Sequence, residues 1–106
     1  MSTLWKRLHD YKVWGDNDKW NVAPSAWEYL ITVKGLSLVV QRPLSNKEMW
    51  VVSEKSTGLR ITKLASRTRN EALYAAILVL ERYTDETLRE TVESNVILQV
   101  KHQLGA

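Results

Sequence analysis

The segment from Glu48 to Tyr83 constrains the fold of this chain more than any other part. Residues 48–53 have the composition of a strand, a glycine-containing turn follows, and residues 59–62 predict a second strand. Thr68 and Glu71 then stand at capping-box spacing, at which their side chains accept each other's backbone N–H groups at the start of a helix. A hairpin followed directly by a capped helix indicates an α+β fold.

The helix that follows Thr68 is expected to be long and central. Residues 72–80 are apolar nearly all round and rich in Ala and Leu, which is typical of a helix with little water around it. We therefore expect this helix to pack on the sheet.

Residues 25–42 predict more of the same sheet, although Ser25 and Glu28 also have capping-box spacing. Two runs of β-favouring residues flank Lys34-Gly35, which decides for two strands joined by a turn. Together with residues 48–62, this region predicts an antiparallel meander of three to four strands.

The N-terminal residues predict a short helix. Its apolar face would consist of Leu4, Trp5, Leu8 and Tyr11, with Thr3 as the N-terminal cap and Gly15 near the C-terminal end. Residues 19–24 have no period that assigns them to a helix or a strand.

The C-terminal residues predict a second helix. It would begin at Thr84, and valine or leucine recurs every fourth residue from Leu88 to Val100. Residues 95–101 are β-branched enough to leave a strand open as the alternative, and we favour the helix. No linker or repeat is visible, so residues 1–106 are expected to form one domain.

Composition excludes several classes of protein. The chain of 106 residues has no cysteine, which removes disulfides and thiolate metal sites. It has neither a run of apolar residues long enough to span a membrane nor a secretory leader. We expect a cytoplasmic protein that does not bind membranes.

Catalytic and metal-binding patterns are missing from the sequence. His9 and His102 are far apart, and neither has ligand-type residues at metal spacing. Four glycines leave little scope for a phosphate-binding loop. The sequence therefore predicts no enzyme, no catalytic residues, no metal and no cofactor.

Basic residues are concentrated before the central helix. Residues 1–69 carry twelve Lys and Arg against six Asp and Glu, whereas residues 70–106 carry three against six. The predicted hairpin and helix start contain Lys55, Arg60, Lys63, Arg67 and Arg69. Cations beside a helix N-terminus suit a phosphate backbone, although an ordinary solvated hairpin carries such charge as well.

Tryptophan is unusually frequent at the start of the chain. There are five tryptophans and no phenylalanine, and four of the tryptophans precede residue 28. Tryptophan fills cores, but it also dominates the energetics of protein interfaces. Trp14 and Trp20 have charged neighbours, so we expect these two to contact a partner.

Residues Ser66 to Ala72 resemble parts of two families. A basic helix start followed by Glu-Ala and an Ala-rich helix is similar to the end of a double-stranded-RNA-binding domain. The same residues, after Trp50-Val51-Val52 and Gly58-Leu59, also resemble antitoxins built on a partial ribonuclease-H-like sheet. The chain lacks the consecutive lysines of the first family and the Pro-Asp of the second, so we assign it to neither.

Two functions follow as hypotheses. The first is a small non-enzymatic protein that binds nucleic acid through the basic hairpin and helix start. The alternative is a protein-binding adaptor or inhibitor, of the kind encoded by phages and mobile elements, with Trp14 and Trp20 in its interface. Salt distinguishes them, because phosphate binding weakens steeply as salt rises and an aromatic interface is nearly indifferent. Self-association into a homodimer stays open.

Overall fold

The chain forms a four-stranded antiparallel sheet, a separate two-stranded hairpin and two helices, and is therefore an α+β protein. The computed structural model describes residues 4–14, 19–23, 25–43, 48–62 and 64–103. In chain order the elements are β1 (Trp5–Leu8), β2 (Lys12–Trp14), β3 (Trp20–Val22), β4 (Ala26–Val33), β5 (Leu36–Gln41), β6 (Val51–Glu54), α1 (Arg69–Leu80) and α2 (Asp85–Gln103). The large sheet has the order β1-β4-β5-β6, so the β2–β3 hairpin is inserted between two neighbouring strands.

Strands β4, β5 and β6 form the antiparallel meander that the sequence predicts. Lys34 and Gly35 connect β4 to β5 with φ angles of 51° and 80°. Both angles lie in the left-handed region that a type I′ hairpin turn requires, and glycine adopts this region without strain. The β4–β5 register shifts between Tyr29 and Val33, just before this turn.

Residues 59–62 and 64–66 run along the outer edge of β6, and the continuous strand predicted over residues 59–62 does not form. Isolated bridges join Ser53 to Arg60 and Trp50 to Ser66. Although irregular, this segment covers the edge of β6 and leads the chain from the sheet to the start of α1.

The predicted N-terminal helix is wrong. Residues 5–8 and 12–14 are strands β1 and β2, and the proposed caps Thr3 and Gly15 lie outside the described residues. β1 pairs with β4, which places Trp5 opposite Tyr29 and Leu8 opposite Ala26. Residues three apart point to opposite faces of a strand. Trp5 packs in the apolar core on one face of the sheet and Leu8 in the core on the other. Apolar residues three positions apart, which suggest a helix, therefore also fit strand β1.

The two faces of the large sheet are covered by different parts of the chain. On the helix face, β5 and β6 pack against α1 through Leu38, Val40, Val52, Ala72, Leu73, Ala76 and Leu80. On the hairpin face, Ala26 and Val39 pack against Val13 and Ala23, which belong to the segment containing β2 and β3. Leu38, Val39 and Val40 are fully buried, which explains why these three consecutive residues of β5 are all apolar and do not alternate with polar ones.

The central helix begins where the sequence predicts. The Thr68 hydroxyl accepts a 3.1 Å hydrogen bond from the backbone N–H of Glu71, which confirms the hydroxyl half of the capping box. Only one side of α1 is buried, however. Tyr74 is 65% exposed and Leu78 is 42% exposed, so the expectation of a helix with little water around it is wrong.

The C-terminal helix is confirmed, and residues 95–101 are helical rather than a strand. The Thr84 hydroxyl accepts from the backbone N–H of Thr87 at 3.1 Å and caps α2. Leu88 and Val92 of α2 pack against the core of the helix face. In the described residues, neither helix is long and apolar enough to cross a membrane.

Tyr11 fastens the segment before β2 to the large sheet. Its hydroxyl is within hydrogen-bonding distance of two backbone carbonyl oxygens, at 3.2 Å from that of Glu54 and 3.1 Å from that of Lys55. Burial, and secondly the negative charge of Glu54, raise the pKa of Tyr11 above its usual range.

We expect Leu80→Ala to lower the free energy of unfolding by about 2 to 5 kcal/mol, because Leu80 is 3% exposed and its removal leaves a cavity. Tyr74→Ala, on the exposed side of the same helix, is the matched control and should change stability by less than about 1 kcal/mol. Urea unfolding of both variants tests this. Equal losses would mean that α1 packs on the sheet through a different side.

We also expect Tyr11 to make stability depend on alkaline pH. The folded state holds the Tyr11 proton more tightly than the unfolded state, so this group's contribution is complete below about pH 10 and is lost as the pH rises further. The unfolding free energy of the wild type should therefore fall more steeply above about pH 10 than that of Tyr11→Phe. Identical slopes for the wild type and Tyr11→Phe would contradict the prediction.

Candidate nucleic-acid interface

The helix face of the sheet is only partly covered by α1. This helix packs mainly on β5 and β6, so β1 and β4 lie beside it. Trp27 is opposite Val40, and Tyr29 is opposite Leu38. Side chains directly opposite each other project from the same face, so Trp27 and Tyr29 project from the helix face.

Trp5 and Arg7 of β1 extend this aromatic row. They stand opposite Tyr29 and Trp27 respectively, and the rings of Trp5 and Tyr29 have centroids 5.2 Å apart at an interplanar angle of 51°. Trp5, Trp27 and Tyr29 are half-buried, whereas Arg7 is exposed. The part of the helix face beside α1 therefore contains aromatic rings that are fixed by cross-strand pairing.

Arginine side chains lie over these rings. The guanidinium carbon of Arg69, the first residue of α1, is 4.3 Å from the ring centroid of Trp5 and 5.1 Å from that of Trp27. The guanidinium carbon of Arg7 is 5.2 Å from the centroid of Trp27. These distances are typical of cation–π contacts. Trp27 thus contacts two arginines, Arg7 from β1 and Arg69 from α1.

A second arginine–tryptophan pair lies on the same face, next to strands β5 and β6. The guanidinium carbon of Arg42 is 4.4 Å from the ring centroid of Trp50. These residues adjoin the last β5–β6 pair, Gln41 with Val51, so alternation places them on the helix face. We use the name Arg–Trp surface for Trp5, Arg7, Trp27, Arg42, Trp50 and Arg69.

Arg7 and Arg69 of this surface have no acidic partner among the described residues. In the part of the chain that the structure describes, no carboxylate lies within 4 Å of the side-chain nitrogens of Arg7 or Arg69; ion pairs join Lys34 to Asp85 and Lys55 to Glu28. Glu71 is the acidic residue in the first turn of α1. A guanidinium stacked on a ring keeps its N–H edge for oxygen acceptors, and this edge suits phosphate or carboxylate.

The basic residues predicted as one cluster are divided by the fold. Arg69 lies on the Arg–Trp surface, and Arg67, two residues earlier, is exposed just before α1. The Lys55 ammonium is 2.9 Å from the carboxylate of Glu28. Glu28 alternates with Trp27 and Tyr29 along β4, so this ion pair is on the hairpin face.

Arg60 lies in a third place, away from both the Arg–Trp surface and the Lys55–Glu28 ion pair. Its Nε donates a 2.7 Å hydrogen bond to the carbonyl oxygen of Thr62, and it borders a groove of about 300 Å³ between α1, α2 and the segment after β6. Lys63 lies outside the described residues. The structure thus brings Arg67 and Arg69 together and places Lys55 and Arg60 elsewhere.

The two tryptophans predicted to contact a partner are in the β2–β3 hairpin, where Trp14 pairs with Trp20. Trp20 is half-buried, and a Cβ atom on Gly58 would lie 3.8 Å from its ring, so it packs on the turn after β6. Gly58 has a φ of 72°, which glycine tolerates best. The side chain of Trp14 is outside the described part of the structure.

Sequence analysis did not identify Trp5, Arg7, Trp27, Arg42 or Trp50 as site residues. A period-two pattern was present, since Trp and Arg alternate at positions 5 and 7 and Trp and Tyr at positions 27 and 29. The prediction of an N-terminal helix hid the first of these pairs. Arg69 contacts Trp5 of the first pair and Trp27 of the second, and these contacts depend on long-range packing.

A metal site is not evident in the described residues, where no three His, Cys, Asp or Glu side chains are grouped to hold an ion. His9 is exposed, and the side chain of His102 lies outside the description. The notable chemistry of the helix face is therefore that of cations and aromatic rings.

Comparisons with models of known protein families, with curated proteins and with solved structures find no match to this chain. The resemblances at Ser66 to Ala72 gain no support from these comparisons. The geometry of the Arg–Trp surface is therefore the main indication of function.

We expect Arg69→Gln to lower the unfolding free energy by about 1 kcal/mol, because it removes cation–π contacts that join α1 to β1 and β4. Arg67→Gln is the matched control two residues earlier, and this exposed position should change stability by less than about 0.5 kcal/mol. Urea midpoints of the two variants test the difference. Indistinguishable midpoints would show that Arg69 does not hold the helix to the edge of the sheet.

Proposed function

We propose that this protein binds nucleic acid through the Arg–Trp surface and acts by binding, without catalysis. The observation that carries the proposal is that Arg7 and Arg69 both lie on the ring of Trp27, with no carboxylate within 4 Å in the described residues. Their N–H groups are therefore oriented by the ring and are not neutralised by a neighbouring acid. Phosphate oxygens are suitable acceptors for such groups.

The position of Arg69 adds to this argument. It is the first residue of α1, and the N-terminus of a helix favours anions because its backbone N–H groups and its dipole both point toward them. Arg67 lies just before it and is exposed. A phosphate at this point would meet arginine side chains and the positive end of a helix together.

The distribution of charge along the chain supports the same partner. The excess of Lys and Arg is confined to residues 1–69, which contain the large sheet, while residues 70–106 are acidic overall. A polyanion would therefore be attracted toward the sheet rather than toward α2. Action in the cytoplasm is part of this proposal.

This proposal moves the interface away from the basic hairpin that the sequence suggested. Lys55 is engaged by Glu28 on the hairpin face, and Arg60 donates to the carbonyl of Thr62 beside the α2 groove. Their charge contributes to the general field, while Arg7, Arg42, Arg67 and Arg69 supply the direct contacts.

A protein-binding function remains the second proposal. Val22 is 52% exposed and neighbours Trp20 in the β2–β3 hairpin, so an apolar contact could form there. A partner protein of a phage or mobile element would use Trp14 and Trp20, and its affinity would be nearly independent of salt.

A comparison of two double variants tests the proposed function. We expect Arg7→Gln with Arg69→Gln to weaken binding to DNA and RNA of all sequences. It should also flatten the slope of log affinity against log salt by about 1.5, since each lost phosphate contact accounts for about 0.7 to 0.9. Lys55→Gln with Arg60→Gln removes the same charge elsewhere and should leave the slope nearly unchanged. Fluorescence anisotropy with labelled oligonucleotides measures both slopes.

If Lys55→Gln with Arg60→Gln flattened the salt dependence more than Arg7→Gln with Arg69→Gln, the basic hairpin would be the interface. If the wild type bound no DNA or RNA at low salt, where electrostatic attraction is strongest, the nucleic-acid function would be excluded. Thermal unfolding of each variant shows whether a loss of binding is a loss of fold.

A further inference from the structure

We propose that the nucleic acid is single-stranded and that an unpaired base stacks on the Arg7–Trp27 pair. This inference rests on the proposed function and specifies its ligand. Phosphate binding alone requires charge, and exposed lysines would provide it. On this surface, by contrast, the cations lie over tryptophan rings, which creates flat faces at fixed positions.

The flat faces distinguish single strands from duplexes. In a duplex, each base face is covered by its neighbours and only base edges and phosphates are accessible. Unpaired bases present their faces, and proteins stack them on aromatic rings or on arginine guanidinium planes. A surface of stacked Arg and Trp side chains is therefore complementary to unpaired bases as well as to phosphates.

Arg7 and Trp27 are the best-placed pair for this contact. Arg7 is exposed and its guanidinium carbon is 5.2 Å from the ring centroid of Trp27, so a base that approaches this pair meets a planar cation beside an aromatic ring. Trp27 is held in β4 between two paired strands, and the adjacent Ala26 is 1% exposed. A rigid platform loses little conformational entropy on binding.

A second Arg-over-Trp pair extends the platform across the sheet. Arg42 and Trp50 adjoin the β5–β6 ladder, and adjacent strands lie about 4.8 Å apart. Arg69, which lies near the rings of Trp5 and Trp27 at the first turn of α1, would contact a phosphate of the same strand.

Titration of a short oligothymidylate, the matching oligouridylate and the duplex that each forms with its complement tests the inference. At one fixed salt concentration, the full-length protein should bind the single strands more tightly than the duplexes. The two single strands differ in the sugar and in the 5-methyl group of the base, and a preference for either one over its duplex supports the proposal. Equal affinity for single strands and duplexes would overturn the proposal and leave the nucleic-acid function intact.

Substitutions at the platform separate stacking from charge. Arg7→Lys keeps the positive charge but loses the planar group, and Trp27→Leu keeps an apolar side chain but loses the ring. Each should lower the affinity for single strands about tenfold and leave duplex affinity nearly unchanged. Trp20→Leu, a tryptophan packed on the turn after β6, is the matched control and should bind like the wild type.

Failure of the variants has a defined meaning. Unchanged single-strand affinity of Arg7→Lys would show that only charge matters and would overturn the stacking proposal. If Trp27→Leu unfolds, a single strand that contains 2-aminopurine gives a second measurement on the wild type, because stacking quenches its fluorescence. No quenching on binding would also overturn the proposal, and no binding of any oligonucleotide would exclude the function on which it rests.

Discussion

The burial of β5 on both faces is the constraint on which the rest of the structure depends. Leu38 and Val40 point to the helix face and Val39 points to the hairpin face, and all three are fully buried. A strand of this kind needs two covers. The chain supplies one from the segment containing β2 and β3, inserted before β4, and the other from α1, which follows β6. Because α1 packs mainly on β5 and β6, the aromatic residues of β1 and β4 lie beside it.

Arginine is an effective partial cover for those aromatic residues. Its guanidinium is weakly hydrated and stacks on rings, so it shields apolar area while its N–H edge stays accessible to water or to an acceptor. An aliphatic side chain at position 7 or 69 could bury the rings as well but would offer no donors. The Arg–Trp surface thus joins two properties that usually compete, namely shielding of apolar area and availability for a polar ligand.

The parts of the fold that follow from local chemistry could be predicted, and the parts that depend on distant partners could not. The turn at Lys34-Gly35 and the Thr68 cap are local, and both were predicted correctly. β1 depends on pairing with β4, about twenty residues away in the chain, and its apolar spacing also fits a helix. The candidate site has the same limitation, since the sequence displays the charge of Arg69 but not the ring of Trp5 beneath it.

Binding of the proposed ligand to the Arg–Trp surface would be coupled to the stability of β1. This strand has four residues and lies at the edge of the sheet, and Arg69 joins it to α1 through the ring of Trp5. A ligand that contacts both Arg7 and Arg69 binds only when β1 is paired with β4 and α1 is in place. By linkage, such a ligand stabilises that arrangement by RT ln(1 + [L]/Kd). The β1 edge of the sheet is therefore the part of the fold that the proposed nucleic-acid ligand would hold most directly.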